Sequence, residues 1–304
     1  MTVLPPLFGI NVDPNVDGLS EAYERARFAD ESGIDLITIQ DHPYNRRFFD
    51  TWTLLSVLAA RTTRVHLGPN VASLPLRPPA MLAKQAATLD VISGGRVELG
   101  LGAGAFWDGI AALGGLRRSP GEAFEAYRDA LHILRGMWDN AGRSFSYEGE
   151  HYSVQGAMPG PAPAHRIRIW AGALGNRMLR LTGQMADGWL VSSTYVPVEQ
   201  LPERNARIDA GAEEAGRSPD DIRRGYNLVG IIDVGQPGAS PASPQRGVLT
   251  GTTRDWIEQL VPYYTEYRID TFIFWPAGEA AAEQLRAFAG EIIPAVRKAV
   301  LPAP

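Results

Sequence analysis

The chain has 304 residues, 45% of them hydrophobic and 21% charged, and its formal net charge is −5 at pH 7. This balance is typical of a globular enzyme and offers no basic surface, so nucleic acid is not expected as a partner. Cysteine is absent, which excludes disulfides, thiolate nucleophiles and cysteine-ligated metals. Because the chain shows neither a signal-peptide pattern nor an apolar run of membrane-spanning length, we expect a cytoplasmic protein without a membrane partner.

Apolar runs alternate with amphipathic segments along the chain, which predicts strands alternating with helices. In the first half, the predicted strands are 7–11, 35–40, 65–71 and 97–101, and the predicted helices are 19–32, 52–61, 79–92 and 121–138. In the second half, the strands are 167–171, 188–192, 225–234 and 270–275, and the helices are 176–185, 198–215, 253–267 and 279–299. Because each strand is a continuous apolar run, the strands are predicted to be parallel and buried on both faces.

Eight strand–helix units predict an α/β fold of the TIM (β/α)8 barrel type, with an open doubly wound sheet as the alternative. Longer segments follow the fourth strand, at 103–120, and the fourth helix, at 139–165. Insertions of that length are usually functional, and 147–154 is predicted to form a hairpin within the second. The segment 236–246, rich in Pro, Ser and Gly, is predicted to be a mobile loop, and 1–304 to form one domain.

The fourth predicted strand ends in Gly100, Gly102 and Gly104, where the backbone is free to approach a ligand closely. A dinucleotide fingerprint is disfavoured because the G-x-G-x-x-G spacing is absent and no helix follows directly. This strand end is therefore a candidate ligand site. The alternative is that the glycines only allow close packing inside a barrel.

Functional residues of a TIM barrel lie at the C-terminal ends of its strands. Asp41 and His42 follow the second strand and are the only adjacent carboxylate and imidazole at such an end, and histidine exchanges protons near neutral pH. The alternative is that Asp41 caps a turn and His42 faces solvent. A glycosidase is weakly supported, because only Asp41 supplies an acid at a predicted strand end.

The turn after the fifth strand is a second candidate site. It consists of Gly172, Ala173, Leu174, Gly175 and Asn176. Free N–H groups at a helix start, with Arg177 and Arg180 following, suit a phosphate, although an ordinary strand-to-helix turn would look the same.

The histidines give no sign of a metal centre. They are His42, His66, His132, His151 and His165. No two have the i, i+4 spacing of a helical pair or form an HExxH pattern, so no metal site is predicted.

Several motifs, taken in order, resemble those of the luciferase-like monooxygenase superfamily, and within it the oxidoreductases that depend on the deazaflavin coenzyme F420. The matching segments are 41–42, 67–71, 79–90, 92–96, 99–104, 169–172 and 186–189. The resemblance extends over essentially the whole chain. It implies a TIM barrel that binds a deazaflavin or a flavin at its C-terminal face, and a homodimer.

The resemblance also implies roles for individual residues. Asp41 and His42 would approach the cofactor ring, with His42 as the acid/base or charge-stabilising residue beside the hydride-accepting carbon. Asn70 and Val71 match the place where relatives hold a non-prolyl cis peptide against the ring. Further cofactor contacts are implied at Ala103 and Gly104 and, for the phosphate, at Gly172, Ala173, Leu174, Gly175 and Asn176.

Two positions depart from the pattern of the relatives. Ala105 stands directly after Gly-x-Gly, where a sugar-phosphate dehydrogenase of the family carries a glutamate that acts as general acid, so the proton donor is unassigned. Pro43, followed by Tyr44, stands where relatives often have an aromatic residue.

The resemblance implies an oxidoreductase that transfers hydride between coenzyme F420 and a small organic substrate, with the protein positioning the cofactor. One alternative is an FMN-dependent monooxygenase that uses oxygen and reduced flavin from a separate flavin reductase. A second alternative, of another class, is a non-catalytic flavin-binding protein.

Overall fold

The computed structural model describes residues 4–235 and 246–301. Its strands are β1 Leu7–Asn11, β2 Leu36–Ile39, β3 His66–Pro69, β4 Ala72–Ser73, β5 Leu99–Gly102, β6 Phe145–Tyr147, β7 Val154–Ala157, β8 Ile169–Gly172, β9 Gly188–Ser192, β10 Arg223–Ile232, β11 Leu249–Gly251 and β12 Thr271–Pro276. Its helices are α1 Leu19–Ser32, α2 Thr51–Arg61, α3 Pro79–Ser93, α4 Trp107–Ala112, α5 Pro120–Asp139, α6 Asn176–Met185, α7 Leu201–Glu214, α8 Thr253–Thr265, α9 Ala281–Ala287 and α10 Ile293–Val300.

The main sheet pairs its strands in the order β3-β2-β1-β12-β10-β9-β8-β5-β4, with parallel ladders throughout. Since β3 and β4 are consecutive in the chain, the two ends of this order meet in one segment. A further parallel bridge joins Leu67 of β3 to Val97, just before β5. The sheet thus forms a nearly closed barrel with surrounding helices, and the predicted TIM barrel is confirmed.

The burial of the strands explains why they could be predicted from the sequence. All four residues of β2 and of β5 are buried, as expected for strands that lie between the barrel interior and the helices. The helices instead show one apolar face. In α5, whose N-terminus is fixed by a capping box of Ser119 and Glu122, Ala123, Ala126 and Ala130 are buried at helical spacing.

The structure differs from the prediction where elements are short. Of the predicted strand 65–71, only His66–Pro69 forms a strand, β3. The cis bond between Asn70 and Val71 separates it from the short strand β4, which lies beyond the predicted end. Helix α4 and strand β11 were not predicted, because six and three residues are too few for a periodic pattern. The predicted final helix is divided into α9 and α10 by a π-helical turn at Phe288–Ile292.

Both predicted insertions are present, and the second contains the expected hairpin. Strands β6 and β7 pair antiparallel, with Tyr147 opposite Val154. The predicted mobile loop lies outside the described residues except at Arg246. Among the helices of the described ranges, none combines the length and the apolar character needed to cross a membrane.

Candidate active site

His42 lies at the C-terminal mouth of the barrel, three residues beyond the end of β2. Its Nδ1 is 2.6 Å from the hydroxyl oxygen of Tyr44. Its ring packs against the Tyr44 ring at 5.5 Å and meets the Phe106 ring edge-on at 5.4 Å. Burial lowers the pKa of His42 below its ordinary 6.5, and the nearby charge of Asp41 opposes this only in part. His42 is therefore a neutral imidazole at pH 7.

Tyr44 fixes the orientation of that imidazole. Burial raises the pKa of Tyr44 to about 12, helped by the charges of Asp41 and Tyr195, so its hydroxyl stays protonated. On the other side, the Tyr44 ring lies against α4, where a Cβ on Gly109 would come within 2.7 Å of it. With Nδ1 held by Tyr44, and no hydrogen bond from any described residue to Nε2, Nε2 is the nitrogen left for a ligand.

The carboxylate of Asp41 is held inside the protein. Arg77 donates to both of its oxygens, from Nε at 2.7 Å and from Nη2 at 2.8 Å, and the backbone N–H of Ser73 donates to Oδ2 at 2.9 Å. The Asp41 side chain is fully buried, and Arg77 also reaches Asp50 at 2.6 Å. Burial alone would lower the pKa of Arg77, but the bonds and charges of the two aspartates raise it. The Ser73 bond ties the end of β2 to β4, the bidentate pair ties it to the segment that follows β4, and together they position the neighbouring His42.

Asn70 belongs to a polar layer that crosses the barrel. The side-chain amides of Asn70 and Asn227 exchange hydrogen bonds of 2.8 and 3.3 Å. Asn70 also donates to Thr38 at 3.3 Å, and Asn227 donates to Ser192 at 3.2 Å. Sequence reasoning missed Asn227 because it lies inside an apolar strand rather than at its end. A polar residue within a continuous apolar run was the signal available.

Val71 lies where three strand-end glycines make room for it. A Cβ on Gly102 would come within 2.7 Å of Val71 Cγ2, and one on Gly172 within 3.0 Å. On Gly100, a Cβ would lie 2.2 Å from the carbonyl oxygen of Pro69. The glycines at these positions therefore allow close packing, as the alternative interpretation of the glycine cluster expected. Their small size lets Val71 contact the backbone of β5 and β8 at the mouth.

The segment after β5 supplies no acidic side chain at Ala105, where the resemblance left the proton donor unassigned. Ala103 and Gly104 are half-buried, and Ala105 is exposed. Gly104 has a φ of +107°, and a Cβ there would meet Pro75 at 2.7 Å and Trp107 at 2.8 Å. Glycine is thus required at this turn.

The turn before α6 offers an open helix N-terminus. Leu174, Gly175 and Asn176 are exposed, whereas Ala173 is buried and Gly172 half-buried. No side chain among the described residues caps the helix, so its first N–H groups are open to a ligand.

The arginines of α6 are engaged away from that turn. Arg177 lies over the ring of Phe124 at 4.0 Å and pairs with Glu125 at 3.2 Å, and Arg180 pairs with Glu214. Anion binding at the turn would therefore depend on the backbone N–H groups and the helix dipole.

Two buried polar atoms at the mouth have no partner among the described residues. Asn11 Oδ1 is at the end of β1, and Trp275 Nε1 is near the end of β12. The two residues follow the paired positions Ile10 and Phe274 on neighbouring strands. An acceptor and a donor that are buried without partners side by side suit a bound group with both hydrogen-bonding functions.

A parallel α/β barrel with an imidazole, a polar layer and an open helix N-terminus at its C-terminal mouth has the architecture of a barrel enzyme. Residues 2–239 match the family described as luciferase-like monooxygenase, and the chain belongs to this family.

Two relatives and one solved structure illustrate the similarity. The chain is 34% identical to the 5,10-methylenetetrahydromethanopterin reductase of Archaeoglobus fulgidus over 70% of its own length and 60% of the relative's. It is 31% identical to the F420-dependent glucose-6-phosphate dehydrogenase of Microbacterium testaceum over 72% and 66% of the two chains. The chain thus spans less than two thirds of these curated relatives. An F420-dependent secondary alcohol dehydrogenase with an F420-acetone adduct shares the fold, with a TM-score of 0.85, 18% identity and coverage of 96% and 99%. FMN-binding monooxygenases also occur among the structural neighbours.

Proposed function

We propose that the chain is an oxidoreductase that transfers hydride between coenzyme F420 and a small organic substrate. The main support for this proposal is the position of His42. Its neutral imidazole lies at the barrel mouth, and its Nδ1 is held by Tyr44. Two relatives above 30% identity support the same function. One is named as an F420-dependent glucose-6-phosphate dehydrogenase and the other as a 5,10-methylenetetrahydromethanopterin reductase.

The residues at the mouth fit a deazaflavin. The unpartnered Asn11 Oδ1 and Trp275 Nε1 match a ring system that carries both donors and acceptors. The free N–H groups at the start of α6 match a phosphate. The ring contacts are assigned to Asp41, through its backbone, and to His42, Asn70, Val71, Ala103 and Gly104. The phosphate contacts are assigned to Gly172, Ala173, Leu174, Gly175 and Asn176.

When bound, the deazaflavin supplies the hydride-accepting and hydride-donating carbon. The chain supplies the proton chemistry. In the tautomer that carries its proton on Nδ1 and donates it to the Tyr44 oxygen, the Nε2 lone pair of His42 is free to take the proton of a substrate hydroxyl and to return it in the reverse direction. Because the His42 pKa is lowered, the imidazole stays neutral at pH 7, and kcat/KM for oxidation should fall only as the pH drops below 6.5.

Replacing Tyr44 with phenylalanine tests the orientation of His42. The variant removes the oxygen that stabilises a proton on Nδ1, so we expect kcat/KM to fall about tenfold and its acidic limb to move to lower pH. The pH dependence of kcat/KM measures both effects. Tyr195→Phe is the matched control, since Tyr195 is 67% exposed and only an electrostatic neighbour of Tyr44. Equal profiles for the Tyr44 variant and the wild type would remove Tyr44 from the mechanism.

Replacing Asn176 with proline tests the phosphate turn. Proline is favoured at the first helical position, and Gly175 has the extended ψ of 153° that proline requires before it, so the fold should persist. The variant lacks one N–H donor, and we expect the Kd for F420 to rise about tenfold. The Kd for a truncated deazaflavin without phosphate should stay constant. Asn176→Ala, which keeps the N–H, is the control. Equal weakening of both ligands would argue against a phosphate at this turn.

An FMN-dependent monooxygenase supplied by a separate flavin reductase is the second candidate, favoured by the FMN-binding neighbours that share the fold. Oxygen distinguishes the two functions. Under strictly anaerobic conditions, reduced F420 should be consumed with a panel of small carbonyl compounds, or oxidised F420 with alcohols. Turnover only with reduced FMN and oxygen would overturn the proposal.

A further inference from the structure

Three residues with metal-binding side chains meet at the N-terminal end of the barrel, opposite the His42 mouth. His66 begins β3, Glu98 directly precedes β5, and His165 lies in the connection before β8. One ligand atom from each lies within 4.8 Å of those of the other two, and His66 Nδ1 is 3.7 Å from Glu98 Oε1. Tetrahedral zinc ligands stand roughly 3.4 Å apart when the metal–ligand bonds are about 2.1 Å. From this geometry we propose a Zn²⁺ site made of His66, Glu98 and His165.

His165 points to a ligand independently of that spacing. Both of its ring nitrogens are shielded from solvent and lack a hydrogen-bond partner among the described residues. Its Nδ1 lies 2.8 Å from Asp90 Oδ1, at ion-pair distance but without hydrogen-bond geometry. Asp90 is itself fixed, because it accepts the backbone N–H groups of Val97 and His165. Metal-binding histidines commonly have a carboxylate beside the nitrogen that does not bind the metal, and the closeness of Asp90 to Nδ1 favours Nε2 as the metal ligand.

Glu98 shares its oxygens with two donors. Trp170 Nε1 donates to Oε2 at 2.9 Å, and Arg168 Nη1 donates to Oε1 at 2.9 Å. The guanidinium therefore competes with a cation for Oε1. The Arg168 side chain is 41% exposed and can turn into solvent, whereas the Glu98 side chain is only 7% exposed and stays in place. A cavity of about 280 Å³ lined by His66, Glu98 and Arg168 gives room for a water as fourth ligand.

The ligand set selects the metal. Two imidazoles and one carboxylate suit Zn²⁺, whereas Mg²⁺ and Ca²⁺ prefer oxygen ligands alone. The ligands come from segments separated by about 30 and about 70 residues, so a bound ion would fasten the connection that ends at His165 to the starts of β3 and β5. The site is structural, since it lies at the end of the barrel opposite the mouth.

Isothermal titration of the untagged full chain with ZnCl₂ tests the site, with MgCl₂ as the comparison. We expect one Zn²⁺ per chain, no Mg²⁺ binding, and a Tm that rises with Zn²⁺. Glu98→Gln and His66→Ala should weaken Zn²⁺ binding at least tenfold. Arg168→Ala should strengthen it, because the competing guanidinium is gone. His132→Ala is the matched control, since His132 is exposed and stacks on Tyr147 outside the cluster.

Three results would contradict the proposed Zn²⁺ site. Absence of a one-to-one Zn²⁺ isotherm for the wild type overturns the site. So does binding that survives both Glu98→Gln and His66→Ala, or that is lost equally in His132→Ala. Circular dichroism of each variant without metal distinguishes lost binding from lost folding. The Glu98→Gln variant keeps the volume of the side chain and serves where the histidine variant fails to fold.

Discussion

Replacing His42 with alanine is expected to lower kcat about a hundredfold or more, while the fold is retained. The reason is that we propose His42 as the proton-transferring group, and acid/base catalysis contributes about two to four orders of magnitude. Its ring makes one side-chain hydrogen bond, to Tyr44, so its loss costs little stability. Steady-state kinetics with a saturating substrate measure the effect, and the Kd for F420 should change much less than kcat.

The control for this experiment is again His132→Ala, which removes a histidine from the exposed face of α5. Thermal denaturation should give nearly the same Tm for both variants and the wild type. A folded His42→Ala enzyme with the wild-type kcat would show that proton transfer depends on another group.

Replacing Arg77 with alanine should produce the largest loss of stability at the site. The substitution leaves the fully buried carboxylate of Asp41 without its cationic partner, so that only the backbone N–H of Ser73 still donates to it. Breaking a buried pair in this way costs about 3–5 kcal/mol of unfolding free energy. For a chain of 304 residues, that corresponds to a decrease in Tm of roughly 5–8 °C. Activity should fall as well, because Asp41 positions His42.

Two further variants make this prediction specific. Arg77→Lys keeps the charge but not the bidentate geometry, so its Tm should lie between those of the alanine variant and the wild type. Arg117→Ala breaks the exposed ion pair with Asp108 and should cost about 1 kcal/mol or less. Equal Tm values for Arg77→Ala and Arg117→Ala would show that the ion pair between Arg77 and Asp41 does not stabilise the mouth.

Much of the barrel was predictable because its strands are buried on both faces and its helices on one. Continuous apolar runs such as 36–39 and 99–102 indicate buried strands, and the segments between them show helical periodicity. Short elements such as β11 have no such pattern. Three residues have no period, and β11 is set by its ladder with β10, in which Leu249 pairs with Gly230.

The candidate site was predictable only in part, for a related reason. The rule that function lies at strand ends selected Asp41 and His42. Their partners are remote in the sequence: Arg77 is 36 residues from Asp41, and Asn227 is 157 residues from Asn70. The cluster of His66, Glu98 and His165 is likewise assembled by the barrel, so a search for local metal-binding motifs passes over it. The closure of the barrel, rather than local spacing in the sequence, creates these contacts.

Parallel fluorescence titrations of the purified protein with coenzyme F420 and with FMN test our proposal that the barrel mouth binds a deazaflavin. We expect saturable F420 binding that is at least tenfold tighter than FMN binding and that weakens in Asn176→Pro. Tighter binding of FMN than of F420 would contradict it and would assign the protein to the monooxygenases of its family.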